Sequence, residues 1–542
     1  MIVKARAWFD ATFLDLARQV RWLFLPPLMV YFAAGLSGAT AIVGTFFVKE
    51  YLGLSAAFLS GLAFWAGLPW ALKMPLGHLV DLIWRWKSLL IYLGASLIAA
   101  SVGIMYALVT MPDEMAQIMP PDAWYIVSAL LAPTGYVLQD AVADAMSVEA
   151  VPKYDENGAP LAEQTSKSLH TTMQTLGRFA LISGLVSVAA MNIFIFEGVE
   201  QLSTEEKADV YAKVYLLAFI IPLVSITGAL LAEVHRWQEV SAMRRRGLTE
   251  SEIAALVART DEEVEPNYWY FGGGLAFVML TLAIGLSGVP FSQELVFAGS
   301  MTIVLLLMRQ LLRELTPEKA RALVGTAIII FIFRAVPLPG AGATWFQIDV
   351  LGFDQQFLSI LSLIASLLTL AAMIVLRPLM AKQQIVFIVM LLTVAAGILS
   401  LPNIGLYYDI QNWTAPLTGG VVDAHFIALI DTAVESPLGQ IAMIPMLAWI
   451  AKNAPAHLKA TFFAVMASFT NLALSASSLF TKHLNEVFVV TREVRDRQTN
   501  VIETAADYSE LGTLLILAAV ITVLAPLVAI FLVQMSRFRT TD

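Results

Sequence analysis

The chain contains no cysteine and carries little charge. Asp, Glu, Lys and Arg make up 14% of its 542 residues, against about 25% in soluble domains. A soluble protein of this length would need several domain surfaces covered with charge, so this composition excludes the soluble classes. The absence of cysteine excludes disulfides, thiol nucleophiles and thiolate metal sites.

Other absences narrow the function further. The net charge of -9 argues against a nucleic-acid partner, which would require a basic face. The six histidines show no metal-ligand spacing, and no Gly-x-x-x-x-Gly-Lys-Ser/Thr phosphate loop occurs. We therefore expect no metal site, no cofactor and no ATP-driven pump. Because no nucleophile–base constellation stands out, we do not expect an enzyme.

The sequence is rich in long apolar runs, and 58% of its residues are hydrophobic. A bilayer core of about 30 Å requires about 20 helical residues, and fourteen segments reach that length. They are 23–48, 56–83, 88–110, 123–149, 168–192, 214–234, 268–289, 293–312, 322–346, 354–378, 384–403, 421–450, 459–482 and 510–535. The pattern predicts an all-α polytopic membrane protein.

The distribution of basic residues predicts the orientation of these spans. With the N-terminus in the cytoplasm, 23 of the 33 Lys and Arg lie on the cytoplasmic side or at the cytoplasmic end of a span, seven lie on the outer side, and three lie deep within spans. This bias follows the positive-inside rule. We therefore expect both termini in the cytoplasm. We expect the protein to be embedded among the membrane lipids of a bacterial cytoplasmic (inner) membrane.

A charged connection divides the spans into a 6+2+6 arrangement. It contains Arg244, Arg245 and Arg246, followed by a capping box at 249–252 that predicts a short helix. We expect the inserted central pair of spans to face lipid, with Glu294 near its outer edge. The predicted units are an amphipathic surface helix at 1–22, a six-helix lobe at 23–235, a linker at 236–267, an inserted hairpin at 268–313 and a second six-helix lobe at 320–536.

Three basic residues fall at membrane depth, where charge is costly and usually functional. Arg178 and Arg334 lie near the predicted midplane, one in each half of the chain, and Lys73 lies nearer the cytoplasm. Together they are candidates for a clamp that binds an anionic solute. The alternative is that they form structural ion pairs with the embedded acids.

Four acidic residues are also embedded, in two pairs. Asp140 and Asp144 share one helix face, as do Asp431 and Glu435, because each pair is four residues apart. Two close carboxylates in a low dielectric favour proton uptake, so the pairs are candidates for proton coupling. For Asp140 and Asp144, a salt bridge to Lys73 or Arg178 is an equally good interpretation.

Aromatic and amide side chains lie beside these charged groups in the sequence. We expect some of them to line a substrate cavity, although ordinary packing explains any single one as well. They are Trp70, Tyr136, Gln139, Gln174, Trp345, Gln347 and Asn471.

The turn after the second span resembles the loop signature of the major facilitator superfamily. Residues 77–87 read GHLVDLIWRWK, and the signature is Gly-x-Leu-Ala-Asp-Arg-x-Gly-Arg-Lys. The resemblance implies a gating role for Gly77, Asp81, Arg85 and Lys87. Leu82 and Trp84 depart from the usual Arg and Gly.

Longer stretches are similar to the folate-biopterin transporter family within that superfamily. In the first half they are FFVKEYLGLS at 46–55, LPWALKMPLG at 68–77 and QDAVADA at 139–145. In the second half they are RAVP at 334–337, LGF at 351–353, IP at 444–445 and FFA at 462–464. The Gln-Asp-x-x-x-Asp piece also resembles muropeptide permeases and acetyl-CoA transporters.

The resemblance implies a monomeric secondary transporter with the major facilitator fold, in which two six-helix lobes rock around a midplane site. Its expected substrate is a small organic anion of folate or pterin type, moved together with protons. A muropeptide, acyl-CoA or lipid-like cargo is an alternative. A non-transporting assembly factor or sensor on the same fold is another.

Overall fold

The computed structural model describes residues 21–83, 86–151, 163–245, 268–285, 287–313, 315–375, 384–441, 459–495 and 502–539, with residues 247 and 249. The predicted surface helix lies outside the described residues except at its last two positions. Arg85 and most of the predicted linker also lie outside them.

The first lobe contains helices that coincide with the first six predicted spans, and one short helix, Pro112–Ile118, between the third and the fourth. These helices are α1 (Leu25–Leu36), α2 (Ala41–Tyr51), α3 (Ala56–Ala71), α4 (Lys73–Leu82), α5 (Ser88–Thr110), α6 (Pro112–Ile118), α7 (Pro121–Glu149), α8 (Glu163–Ile195), α9 (Thr204–Ala218) and α10 (Ile220–Arg245). Short 3₁₀ turns lie at Trp22–Phe24, Ser37–Thr40 and Val199–Gln201. The first, second and sixth predicted spans therefore each consist of two helices.

The inserted pair and the second lobe follow the predicted order as well. Their elements are α11 (Tyr268–Gly285), α12 (Ser292–Leu312), α13 (Pro317–Arg334), α14 (Ala341–Asp349), α15 (Gln355–Val375), α16 (Ile385–Tyr407), α17 (Gln411–Leu417), α18 (Ala424–Ile441), α19 (Lys459–Val487), β1 (Val494–Arg495), β2 (Ile502–Thr504) and α20 (Leu511–Met535). The antiparallel strands β1 and β2 form a small hairpin in the loop that is predicted to face outward, a feature that the all-α prediction did not include.

Membrane character follows from the helices themselves. Among the described residues, nine helical segments are long and apolar enough to cross a bilayer. Three shorter apolar helices lie at 56–71, 271–285 and 424–434. The architecture is therefore that of a polytopic helical membrane protein, and the count of fourteen crossings stays a prediction.

The ninth predicted span is broken where α13 ends. Pro337 and Pro339 cannot donate backbone hydrogen bonds, and Gly340 has a φ of +82°, which favours glycine. Three side chains of α19 supply partners for the freed backbone groups. Ser477 Oγ donates to the Val336 carbonyl at 2.6 Å, Asn485 Nδ2 donates to the Pro339 carbonyl at 3.2 Å, and the Leu338 amide donates to Thr481 Oγ1 at 2.9 Å. The break is thus held in place by the protein.

The two lobes meet along two helix pairs. Helix α3 packs against α19, and α8 packs against α15. Asn471 Nδ2 donates to the Trp70 carbonyl at 3.2 Å across the first of these contacts. The interface between the lobes therefore forms along helices of both.

The inserted pair lies beside this interface. Helices α11 and α12 pack on each other, and the pair contacts α4 and α19. Phe277 and Val296 share a buried cluster with Phe64 of one lobe and Phe469 of the other. The prediction of a purely lipid-facing hairpin is therefore wrong for one face, which covers the contact between the lobes. The other face is exposed and apolar and includes Trp269, Leu275, Met279, Leu305 and Leu306.

Glycines allow α5 and α7 to approach closely. A methyl group at Gly94 would come within 2.6 Å of the Gly135 carbonyl oxygen. We therefore expect Gly94→Ala to force the helices apart and lower the free energy of unfolding by about 1–3 kcal/mol, a typical cost of overpacking. A thermal unfolding scan of the purified protein measures this.

Gly103→Ala is the matched control on the same helix. A methyl group there would meet only the Phe219 ring, at an ordinary 3.7 Å. Equal melting temperatures for the two variants would contradict the assigned close contact.

Candidate functional site

A cavity of about 1210 Å³ lies between the two lobes. Helices α2, α3, α5 and α7 form one wall, and α13, α14, α16 and α20 form the other. Its polar lining includes Thr45, Ser101, Tyr125, Ser128, Arg334, Gln347, Ser400, Asn403 and Thr522. Most of these residues come from the predicted outer halves of their spans, and Arg334 and Thr522 lie near the middle of theirs. We therefore expect the cavity to extend from the midplane towards the outer side.

Arg334 is the one charged side chain among the described residues that line the cavity. It is the last residue of α13, so the helix break after it ends the helix at the cavity wall. The side chain is half-buried, and no ion pair to it occurs in the part of the chain that the structure describes. A guanidinium in this setting has the donors and the charge to bind an anion.

A polar chain leads from the cavity wall to a buried acid. Gln347 Nε2 donates to Asn403 Oδ1 at 3.3 Å, and Asn403 Nδ2 donates to Asp431 Oδ2 at 2.9 Å. Asp431 is only 8% exposed and does not line the cavity itself, but it accepts a hydrogen bond from Asn403, which does. The side chain of Glu435 lies outside the described residues.

A second site forms within the first lobe. The Lys73 ammonium lies 2.6 Å from Asp140 Oδ2 and 2.8 Å from Asp144 Oδ2. Tyr31 Oη donates to Asp144 Oδ1 at 2.7 Å. We call these four residues the ion cluster. The structure therefore contains the salt bridges between Lys73 and both acids that the sequence allowed as an alternative.

The basic residues proposed as a clamp do not converge on one cavity. Arg178 is exposed on α8, near enough to Asp140 to act on it electrostatically. Lys73 is held by its two carboxylates. Among the described residues, only Arg334 of the three lines the cavity.

Several other predicted cavity residues have packing or bridging roles. Gln139 is buried and donates to the Ile91 carbonyl at 3.1 Å and to Ser225 Oγ at 2.9 Å, which ties three helices together. Tyr136 is half-buried and, with Trp70 and Asn471, is not on the cavity wall. Trp345 does line the cavity, while the side chain of Gln174 lies outside the described residues.

The predicted gating loop is only partly described. Lys87 is buried and lies 2.7 Å from Glu149, so it joins α5 to α7 within one lobe. Gly77 has open space where a side chain would stand. The side chain of Asp81 and all of Arg85 lie outside the described residues.

The sequence did not predict the contacts between the lobes at the ends that we expect to face outward. Lys49 lies in the last turn of α2 in the first lobe, and it pairs with Asp349 at the end of α14. Tyr508 Oη donates to Asp349 Oδ2 at 2.5 Å, and burial together with this carboxylate raises the pKa of Tyr508. Lys49 lies in a stretch typical of the family, but no sequence signal identifies a partner 300 residues away.

The sequence model of the BT1 family matches residues 34–541. The chain belongs to the BT1 family. A curated relative, the folate-biopterin transporter of Synechocystis sp. (strain ATCC 27184 / PCC 6803 / Kazusa), is 22% identical over 458 residues, which cover 83% of this chain and 72% of the relative. The BT1 chain is therefore an integral membrane protein of a transporter family, and the resemblance seen in its motifs is confirmed.

Solved transporter structures share the fold of this BT1 chain. A POT family transporter in complex with 5-aminolevulinic acid aligns with a TM-score of 0.56 at 15% identity, over 95% of this chain and 96% of that one. The nucleoside transporter NupG aligns with a TM-score of 0.50 at 12% identity, over 95% and 100%. These likenesses show that the chain shares the overall fold of these transporters.

The ion cluster of the BT1 chain predicts a strong effect of Lys73→Met. The substitution leaves the carboxylates of Asp140 and Asp144, which are 17% and 38% exposed, without their shared cation. We expect the free energy of unfolding to fall by about 3 kcal/mol, the lower end of the cost of breaking a buried ion pair, because Asp144 is partly exposed. The double variant Lys73→Met with Asp140→Asn should recover part of this loss, because only one carboxylate then remains. Thermal unfolding in detergent measures both.

Lys319→Met is the matched control, since Lys319 is exposed on α13. If Lys73→Met and Lys319→Met have the same stability, the ion cluster does not hold the first lobe together.

Proposed function

We propose that the protein is a proton-coupled secondary transporter that moves an organic anion of folate or pterin type by alternating access. In this proposal fourteen spans in a 6+2+6 arrangement cross a bacterial inner membrane, with both termini in the cytoplasm, and the protein works as a monomer. The observation that carries the proposal is the cavity between the lobes with Arg334 on its wall.

The chemistry of the cavity supports the substrate class. Arg334 offers a planar guanidinium to a carboxylate. Tyr125, Tyr215 and Trp345 line the same cavity and offer aromatic surface to a flat ring. Gln347 and other amide and hydroxyl groups offer hydrogen bonds to the polar edges of a pterin. At about 1210 Å³, the cavity exceeds the roughly 300–1,000 Å³ of typical small-molecule pockets, so a folate-sized ligand fits.

Proton coupling is assigned to the ion cluster, with Asp144 as the site of proton exchange. Its side chain is 38% exposed, whereas that of Asp140 is 17% exposed. Protonation of Asp144 removes the negative charge that binds Lys73 and weakens the hydrogen bond that Tyr31 donates to this carboxyl group. Rearrangement of Lys73 toward Asp140 then links proton uptake to movement of α4 against α7.

Asp431 is the second proton-coupling candidate, together with Glu435 on the same helix. Its carboxylate connects to the cavity through Asn403 and Gln347, so a change of its charge reaches the substrate site directly. Arg178, next to Asp140, is proposed to tune the ion cluster.

Arg334→Gln tests the substrate site. Removal of the cavity's cation should reduce folate uptake into proteoliposomes at least about tenfold, as expected for the loss of one charge-assisted contact. Arg334→Lys keeps the charge without the bidentate fork, so its folate uptake should lie between that of the wild type and that of Arg334→Gln.

Arg321→Gln is the matched control, because Arg321 is an exposed residue of the same helix, α13. Full folate uptake by Arg334→Gln would remove Arg334 from the substrate site. A panel with pterins, muropeptides and acyl-CoA in the same assay separates the alternative cargoes, and an absence of uptake for all of them would favour an assembly factor or sensor.

Asp144→Asn tests the coupling. An amide cannot exchange a proton at this position, so we expect uptake to lose its dependence on an imposed pH gradient while exchange of substrate across the membrane continues. Asp122→Asn, an exposed residue at the start of the same helix, should retain the dependence. A pH-dependent Asp144→Asn variant would contradict the assignment.

A further inference from the structure

The outer hairpin is fastened to the second lobe. We use the term outer hairpin for the described residues 488–495 and 502–508. Val490 is buried against Phe346 of α14 and Leu514 of α20, and it packs so closely on Gly342 that a methyl group there would come within 2.8 Å. Tyr407 Oη donates to the Tyr508 carbonyl at 3.0 Å. The outer hairpin therefore moves with the second lobe.

One side chain of the outer hairpin crosses to the first lobe. Arg492 donates from Nε to the Lys49 carbonyl at 2.8 Å, from Nη1 to the Leu54 carbonyl at 2.7 Å, and from Nη2 to the Val48 carbonyl at 3.0 Å. Its Nη2 also donates to the Leu52 carbonyl. All four acceptors lie at the end of α2 or in the turn after it.

These acceptors are well suited to a guanidinium. The last carbonyls of a helix lack partners within the helix and carry its partial negative charge, and Arg offers five donors in a planar fork. Arg492 is 3% exposed, and this burial lowers its pKa, an effect that Tyr508 and Asp349 partly offset. It stays charged, because an arginine does not deprotonate in proteins.

Arg492 also contacts two residues of the cavity wall. Its guanidinium lies 4.4 Å from the centre of the Trp345 ring. Trp345 lines the cavity, and so does Val48, whose carbonyl accepts a hydrogen bond from Arg492. The side chain therefore sits where the cavity wall of one lobe meets that of the other. The pair between Lys49 and Asp349 lies beside it and joins the same two lobes.

The acceptors are backbone atoms of a single helix end, so they separate from Arg492 together. When the outer ends of the lobes part, the guanidinium loses all of them at once. A contact of this kind has two discrete states, bound and released, which is the property that an alternating-access gate requires.

We propose that Arg492 is the outer gate residue of the transport cycle. It holds the outer ends of the two lobes together while the cavity is closed on that side, and it leaves the end of α2 before substrate exchanges there. The proposal rests on the transport function proposed above.

The lack of native cysteine allows a direct test. Thr522→Cys places a single thiol on the cavity wall, and a membrane-impermeant maleimide added from the side of the outer hairpin reports its accessibility. In this background Arg492→Ala should label about tenfold faster, the effect expected when a charged hydrogen-bonding group is lost from one of two states. Arg492→Lys keeps the charge but loses the fork, and should label at an intermediate rate.

Lys213→Ala is the control, because Lys213 is an exposed cation of the first lobe on the same predicted side of the membrane. It should label at the wild-type rate. Wild-type labelling by Arg492→Ala, or equal acceleration by Lys213→Ala, overturns the proposal.

Two further variants keep the test decisive if Arg492→Ala does not fold. Asp349→Asn removes the charge that Lys49 binds, so it should also accelerate labelling, and wild-type rates in both Asp349→Asn and Arg492→Lys overturn the proposal. Labelling requires no substrate. A failure of folate uptake therefore refutes the proposed function alone, and a failure of the labelling response refutes the gate alone.

Discussion

The architecture depends on one constraint, which is that every backbone amide and carbonyl at membrane depth must find a partner within the protein. The ninth predicted span breaks this rule locally, since Pro337 and Pro339 interrupt its helix. Side chains of α19 repair the break. The repair has consequences elsewhere, because α19 also forms the contact with α3 of the other lobe. The broken helix, the cavity at its end and the interface between the lobes are therefore one connected structure.

Three cations at or near the membrane have different surroundings. Lys73 faces two carboxylates, and Arg492 faces the carbonyls of a helix end. Arg334 faces a cavity between the lobes. A cation that is already neutralised holds structure together, whereas one that faces a cavity is available to a ligand. This distinction, rather than depth in the bilayer, separates the proposed substrate site from the ion cluster and the gate.

The inserted helices and the outer hairpin extend the twelve-helix pattern at the contact between the lobes. Helices α11 and α12 cover the side of the α3–α19 contact. Glu294 at the start of α12 lies 2.9 Å from His483 Nε2, at the end of α19. The outer hairpin places Arg492 over Trp345, a residue of the cavity wall. Both additions therefore touch the contact between the lobes, the surface that would slide or part in the proposed transport cycle.

The sequence by itself determined the membrane class, the order of the helices and the family, because each depends on local composition or on short motifs. It also identified Lys73, Asp140, Asp144, Arg334 and Asp431 as significant, since charge in a bilayer is costly wherever it occurs. Only the tertiary structure decided which of them meet. Arg178 and Arg334 look equivalent along the chain, yet one is exposed beside the ion cluster and the other lines the cavity. Arg492, in a charged loop, gave no signal, because its acceptors are backbone carbonyls about 440 residues away and any sequence supplies carbonyls. Partner choice depends on where the chain returns in space, and hydropathy and spacing do not encode it.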